Sequence, residues 1–373
     1  MGTNTRRRVT LNDVAAELGV SAKTVSNAYN RPDQLSATLR SRILATAARI
    51  GYGGPDPLAA SLRKGSAGAI GFCYANRLSY AFEDPMAIEV LSGITRTAEG
   101  ASVGLLLLPG PPSRESRARA LGRAVIDGLI VNSLADDDPL VAAAVARRLP
   151  LAVVDQPDPA RLGALGAPGT PWVGIDDRAA ATKLAAHLLS LGHRTLGVVS
   201  FALERRPTRG LVDEPAQAAA SYAVTRRRLA GLRDAARRAG LDWSQVPVAQ
   251  GADSTPAEGE AAAERVLATT PRPTALLCLS DRLAEGALRA AARIGLRVPA
   301  DLSLTGFDDA PQAVRLGLTT VRQAGEQKGA LAAQALLEVL SGKGATTIQT
   351  LPAELVVRTS TAPPPVRNQR GPL

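Results

Sequence analysis

Apolar residues at Leu11, Val14, Ala15 and Leu18 fall on the i, i+3, i+4, i+7 stripe of a short amphipathic helix. Thr10 and Asp13 frame its start as a capping box with Asp in the usual Glu position, and Gly19 breaks it. After Val20, Ser21 is placed to cap a second helix over residues 22 to 29. Two short helices separated by about three residues predict a helix-turn-helix. Arg31-Pro32-Asp33 forces a loop. Ser36 then caps a third helix with Leu39, Ile43, Leu44, Ala47 and Ile50 on one face, ended by Gly51. Leu11, Val14, Leu18, Val20, Val25, Ile43, Leu44 and Ile50 are the candidate shared core. The second helix is left to expose Ala22, Lys23, Ser26, Asn27 and Asn30, side chains short or polar enough for base edges and phosphates in a major groove.

From residue 69 the pattern changes to short apolar runs alternating with helical stretches. Strands are predicted at 69–74, 103–108, 128–132 and 151–155, with helices at 86–99, 113–123 and 140–148. A second set follows, with strands at 195–200, 246–249, 275–280 and 302–307 and helices at 178–191, 223–239, 256–268 and 282–294. Such repetition implies parallel sheets covered on both faces, and two open α/β lobes in one chain imply a clamshell. Ligands of such sheets bind beyond the strand carboxyl ends, here between the lobes. Several strands deliver polar residues to that end: Asn132, Asp155, Ser280 with Asp281, and Asp308 with Asp309. Each alone is more often what a helix cap or turn uses; together they favour a ligand of polyol or sugar size.

The fold class expected is therefore α/β, an all-α helix-turn-helix headpiece joined to a two-lobed α/β clamshell. The expected boundaries are 1–53 for the headpiece, 54–66 for a hinge and 67–362 for the large domain. Within the latter, about 67–173 and 323–344 form one lobe, and about 174–322 and 345–362 the other. The hinge reads as a linker with a helical turn or two ending at Gly65, with Pro57 in its first turn, too short to be a stable free helix. Residues 363–373 read as a disordered tail without heptads.

Charge sharpens the headpiece reading. Net charge is +10 over 373 residues, yet residues 1 to 64 hold ten Lys/Arg against four acids, an excess of +6. A polyanion, with DNA foremost, suits that concentration, although a solvated basic surface is the plain alternative. With 45% hydrophobic and 21% charged residues the chain reads as globular. The two cysteines, Cys73 and Cys278, each lie in an apolar run and read as buried thiols rather than a disulfide or zinc site. No apolar stretch reaches the ~20 residues of a membrane span, and no apolar segment follows the basic N-terminal residues, so a cytoplasmic protein without membrane contact is expected. No phosphate-binding loop, nucleophile elbow or His-Glu-x-x-His appears, and no metal-ligand spacing. His193 reads as a helix C-terminal residue and Asp136-Asp137-Asp138 as a solvated loop. No enzyme, cofactor or metal is expected, although fold alone excludes none of these.

The stretch Val9-Thr10-Leu11-Asn12-Asp13-Val14-Ala15, Gly19-Val20-Ser21, Thr24-Val25-Ser26 and Asn30 resembles the headpiece of the lactose-repressor (LacI/GalR) family. Late in the chain, Gly306-Phe307-Asp308-Asp309 and Leu318-Thr319-Thr320-Val321-Arg322-Gln323 are similar to that family's signatures, and the likeness spans nearly the whole chain. The resemblance implies a periplasmic-binding-protein-like clamshell and a transcription regulator, a repressor, that binds double-stranded operator DNA as a homodimer. It implies base contacts from Ala22, Lys23 and Asn27, with Thr10, Ser21, Thr24, Ser26 and Asn30 on phosphates or buttressing the readers. By the same resemblance Leu62 wedges into the minor groove, with Ala59 facing that groove and Arg63 beside it. Asn132, Asp155, Arg228, Ser280 and Asp308 become effector contacts, the effector being a carbohydrate or related metabolite. The departures are an insertion at 203–222, an irregular loop at 164–171, and the placement of Arg228 in a run with Arg226 and Arg227. A solute receptor sharing the clamshell, and a sugar-modifying enzyme with an added helical domain, remain the competing readings.

Overall fold

A computed structural model describes residues 9–55, 65–74, 77–108, 114–205, 208–344 and 348–365. The chain divides into two units, Met1–Gly68 and Ala69–Leu373.

The first unit holds α1 (Leu11–Leu18), α2 (Ala22–Asn30) and α3 (Ala37–Ile50). The Asp13 carboxylate accepts from both the backbone N–H and the hydroxyl of Thr10, each at 2.7 Å. Ser21 accepts from the Thr24 N–H at 3.0 Å, and Ser36 from the Leu39 N–H at 3.3 Å. These caps satisfy amides that have no partner inside their own helix. Val14, Val25 and Ile43 form the centre of the core as the apolar stripe predicts. Ala15, Ala28, Ala47 and Tyr52 complete it, whereas Leu44 is only half-buried and outside that cluster. Tyr52 lies beyond the last helix, where helical spacing gives no guidance; it meets Tyr29 edge-on at 5.9 Å.

The second unit is built on two sheets. The first runs β12-β5-β4-β3-β1-β2, all parallel: β1 is Ala69–Tyr74, β2 Gly104–Leu108, β3 Gly128–Asn132, β4 Leu151–Val154, β5 Trp172–Ile175 and β12 Ile348–Leu351. The second runs β10-β9-β6-β8-β7, with β6 Leu196–Ser200, β7 Gly210–Leu211, β8 Val248–Gln250, β9 Ala275–Cys278 and β10 Ser303–Thr305. Only its edge strand β7 is antiparallel. A short antiparallel pair, β11 (Thr320–Arg322) with β13 (Glu354–Val356), stands apart. Each sheet is covered on both faces by apolar clusters. The near-continuous burial of β3, β4, β6 and β9 is what parallel strands between helix layers require. Cys73 and Cys278 are buried free thiols.

The lobe boundaries need correction. Trp172–Ile175 lies wholly in the first sheet, and Ile348–Leu351 returns to pair with it, so 348–351 belongs with the first lobe rather than the second. This strand alternates Ile-Gln-Thr-Leu at a sheet edge and carries no continuous apolar run to reveal it. The long helix Gly325–Leu340, packed on the helix Pro85–Gly100, was likewise not anticipated. His193 is buried, with its ring nitrogens 2.9 Å from Thr274 Oγ1, 3.0 Å from Ser303 Oγ and 2.9 Å from the Ala362 carbonyl. It ties strand and C-terminal segment together rather than merely ending a helix. Of the expected tail, 363–365 are described and the remainder lies outside the described residues.

Candidate functional site

In the headpiece, α2 presents Ala22 and Lys23 exposed at its first turn, with Asn27 one helical turn further and half-buried. Asn27 Nδ2 donates to Gln34 Oε1 at 3.1 Å, fixing one edge of its carboxamide. Asn30 Nδ2 donates to the carbonyl and hydroxyl of Ser26 at 3.1 and 3.2 Å. The hydroxyls of Thr24 and Ser21 lie 2.8 Å apart. Thr10 and Ser21 are exposed at the starts of α1 and α2. The helix therefore carries one flexible cation and one oriented amide on a rigid support, which is what reading base edges requires. Ala59, Leu62 and Arg63 lie outside the described residues.

In the second unit the polar residues at the strand ends meet through a buried relay. Arg228, on the helix Ala223–Arg238, donates through Nε to Asp177 at 2.8 Å and through Nη1 to the Leu279 carbonyl at 2.6 Å. The same Nη1 lies 3.6 Å from Asp308, and the guanidinium stacks 3.5 Å from the Phe307 ring centre. Gln323 donates to Asp308 at 2.5 Å and accepts from Lys328 Nζ at 2.5 Å, and Lys328 donates to Asp155 at 2.6 Å. The chain Asp177–Arg228–Asp308–Gln323–Lys328–Asp155 thus crosses from the second sheet to the first. Burial is the largest cause holding the Asp177 and Asp308 carboxyls above the ordinary carboxylate range, opposed by Arg228. Among the described residues, Asp177 Oδ2 has no hydrogen-bond partner. Ser133, Asp155, Asp308 and Asp309, at the ends of β3, β4 and β10, all hold positive φ, at 61°, 62°, 114° and 58°. Such strain gathers where a fold aims side chains at a ligand.

Not every expected residue enters the relay. Asn132 is buried at the end of β3, opposite Val154 in register and accepting from Ser133 Oγ at 3.0 Å, so it flanks Asp155. Ser280 caps the helix Asp281–Arg293 through the Leu283 N–H at 3.2 Å, and its hydroxyl meets Ser254 Oγ at 2.7 Å. Asp281 accepts from the Ala310 N–H and the Thr320 hydroxyl, and Asp309 is held by Arg322 and Arg358, so both brace the loop that carries Asp308. Asp177 and Lys328 were missed. Asp177 carries no signal of its own in the sequence, standing beside Asp176, which caps the helix through the Ala179 N–H. Lys328 had a readable signal as the one basic residue in the apolar helix Gly325–Leu340.

A helix-turn-helix and a two-lobed domain whose sheets are joined by a buried polar relay, in one chain, make up a DNA-binding transcription regulator. Residues 10–54 match the family model of bacterial regulatory proteins, lacI family, and residues 185–361 that of a periplasmic binding protein-like domain. An HTH-type transcriptional regulator of Mycobacterium tuberculosis is 44% identical over 368 residues, 98% of this chain and 100% of the relative. The HTH-type transcriptional regulator IpsA of Corynebacterium glutamicum is 40% identical over 335 residues, 89% and 91% of the two chains. A crystal structure of a LacI-family transcriptional regulator from Corynebacterium glutamicum aligns with TM-score 0.73 at 35% identity, covering 96% of this chain and 100% of that one. The lac repressor dimer bound to operator and the anti-inducer ONPF aligns with TM-score 0.74 at 25% identity, covering 95% and 100%. The chain belongs to the lacI family of bacterial regulatory proteins, and it is a regulator rather than an enzyme. Among the described residues, no helix is long and apolar enough to cross a membrane.

Proposed function

We propose that this regulator is a cytoplasmic homodimeric repressor whose operator affinity is set by a neutral, polyhydroxylated effector held between the lobes. The buried relay carries this reading. Both of its cations are matched by carboxylates, Arg228 by Asp177 and Asp308, and Lys328 by Asp155. A phosphorylated ligand would have to break those pairs, whereas hydroxyls can join them as donor and acceptor at once. Asn132, Asp155, Arg228, Ser280 and Asp308 are the proposed effector contacts. On DNA, Lys23 and Asn27 read bases beside Ala22, and Thr10, Ser21, Thr24, Ser26 and Asn30 contact phosphates or hold the readers. Leu62 wedges the minor groove with Ala59 and Arg63, a role a hinge residue can take because the resulting bend buries more protein surface. The operator-bound dimer among the similar structures supports two-fold recognition of a palindromic site.

The test is anisotropy titration of duplexes from the gene's own upstream region, with and without a panel of unphosphorylated sugars and polyols. Lys23→Ala is expected to lose ~1–3 kcal/mol at one operator position. A uniform loss across all sequences would instead make Lys23 a phosphate contact. Arg228→Ala is expected to keep operator binding and lose the response to the active compound. A retained response would remove Arg228 from the site, and a response confined to phosphorylated compounds would overturn the neutral-ligand reading.

A further inference from the structure

Three sequence features have no role in the effector relay: Arg226 and Arg227, which precede Arg228 in its run, the acidic Asp136-Asp137-Asp138 loop, and the insertion near residue 205. The structure brings them together where the two lobes meet. Asp136 follows β3 and Asp158 follows β4 of the first sheet, whereas Arg226 and Arg227 stand just before Arg228 on the helix Ala223–Arg238. Arg226 donates to Asp136 Oδ2 at 2.8 Å, and Arg227 bonds Asp158 while lying 5.9 Å from the Trp172 ring centre. Arg205 lies 3.6 Å from Asp138 and 3.8 Å from Asp137. Two backbone groups join the seam: the Asp136 N–H donates to the Ser221 carbonyl at 2.9 Å, and the Val224 N–H to Gln156 Oε1 at 2.9 Å. The acceptor is organised in advance, because Asp136 Oδ1 already takes the Asp158 N–H at 2.9 Å and its carbonyl takes Arg161 Nε at 3.0 Å. The expectation of a solvated acidic loop is thus corrected, and Asp138 is itself buried, capping the helix Pro139–Ala146 through the Leu140 N–H.

We propose that Arg205, Arg226 and Arg227 are positioning residues, an ionic clasp onto Asp136, Asp137, Asp138 and Asp158 that holds the lobes closed and fixes where Arg228 stands in the cleft. Consecutive arginines divide the work because they point to different sides of one helix: Arg228 inward to Asp177, its two predecessors across the seam. The Arg226 and Arg227 pairs are half-exposed, so salt screens them, whereas the Arg228 pair is buried and resists screening. Each half-exposed pair is worth about a 1.4- to 5-fold change in the closed-to-open ratio. Several acting together make the cleft close without ligand, and a ligand that needs the closed form then binds in proportion to that population. The clasp deepens the sensing role proposed above, but its test needs neither effector nor operator, so the two readings fail separately.

The experiment is a spin-label distance measurement on the full chain carrying Glu99→Cys and Ser244→Cys, exposed positions in the two lobes, diluted in unlabelled protein so that only distances within one chain register. Both native cysteines are buried. Raising salt from about 0.01 M to about 1 M shrinks the Debye length from ~30 Å to ~3 Å. The expected result is one closed distance at low salt and growth of a second, open population at high salt. Arg226→Ala with Arg227→Ala should show the open population already at low salt, and the charge exchange Arg226→Asp with Asp136→Arg should restore closure. A distance indifferent to salt in the unsubstituted chain overturns the clasp, as does a charge exchange that folds but stays as open as the alanine variant. The salt titration stands even if the alanine variant does not fold.

Discussion

Lys328→Met tests the relay most directly. Lys328 is fully buried and its ammonium is shared between Asp155 at 2.6 Å and Gln323 at 2.5 Å. Methionine fills a similar volume, so packing loss is minor and the electrostatic effect dominates. The substitution leaves the Asp155 carboxylate, which is only 12% exposed, without its cation, and Gln323 Oε1 without its donor. Removing one partner of such a buried pair costs about 3–5 kcal/mol. Asp155→Asn in the same chain removes the stranded charge, so the double variant should recover about 0.5–3 kcal/mol relative to the sum of the two singles. The assay is urea unfolding followed through Trp172, whose indole N–H donates to the Asp155 carbonyl at 3.1 Å, in a Trp243→Phe background. A loss below about 1 kcal/mol for Lys328→Met, or strict additivity in the cycle, would show that the pair is not the buried interaction described.

Two further outcomes follow from the packing and the titration of the core. Helices Pro85–Gly100 and Gly325–Leu340 cross so closely that a Cβ on Gly329 would lie 1.9 Å from the Val90 carbonyl oxygen, backbone that cannot step aside. Gly329→Ala should therefore destabilise the first lobe by about 1–3 kcal/mol or more in the same urea assay, despite alanine's better helix propensity; a stabilised variant would contradict the crossing. Burial pushes the Asp281 carboxyl from 3.8 up to about 7, opposed by its hydrogen bonds from Thr320 and the Ala310 N–H. Between about pH 4 and pH 7 the folded chain keeps a proton that the unfolded chain has released, so this residue's contribution to stability declines as pH rises through that window. Melting temperature against pH should lose that slope in Asp281→Asn, and an unchanged profile would place the titration elsewhere.

Much of the architecture was legible locally. Apolar spacing in α1 and α3, the caps at Thr10, Ser21 and Ser36, and the buried runs of β1, β3, β4, β6 and β9 are properties of neighbouring residues, and the chain order carries them whatever else folds. The family resemblance likewise pointed to Asp308 and, with the register within the arginine run open by one, to Arg228, and it set Gln323 inside a signature without giving it a role. Three things needed the tertiary structure. Strand β12 joins the first sheet because β5 offers it an edge, some 170 residues earlier in the chain. The identities of Asp177 and Lys328 as members of the relay come from where three loops and three helices converge. Finally, the choice among three adjacent arginines was made by helix rotation: whichever side chain points inward must be neutralised by buried carboxylates, and those facing the seam take the acids of the other lobe. Sequence determines which residues are able to carry charge, but the cost of burying that charge is a property of the surroundings, and only folding supplies them.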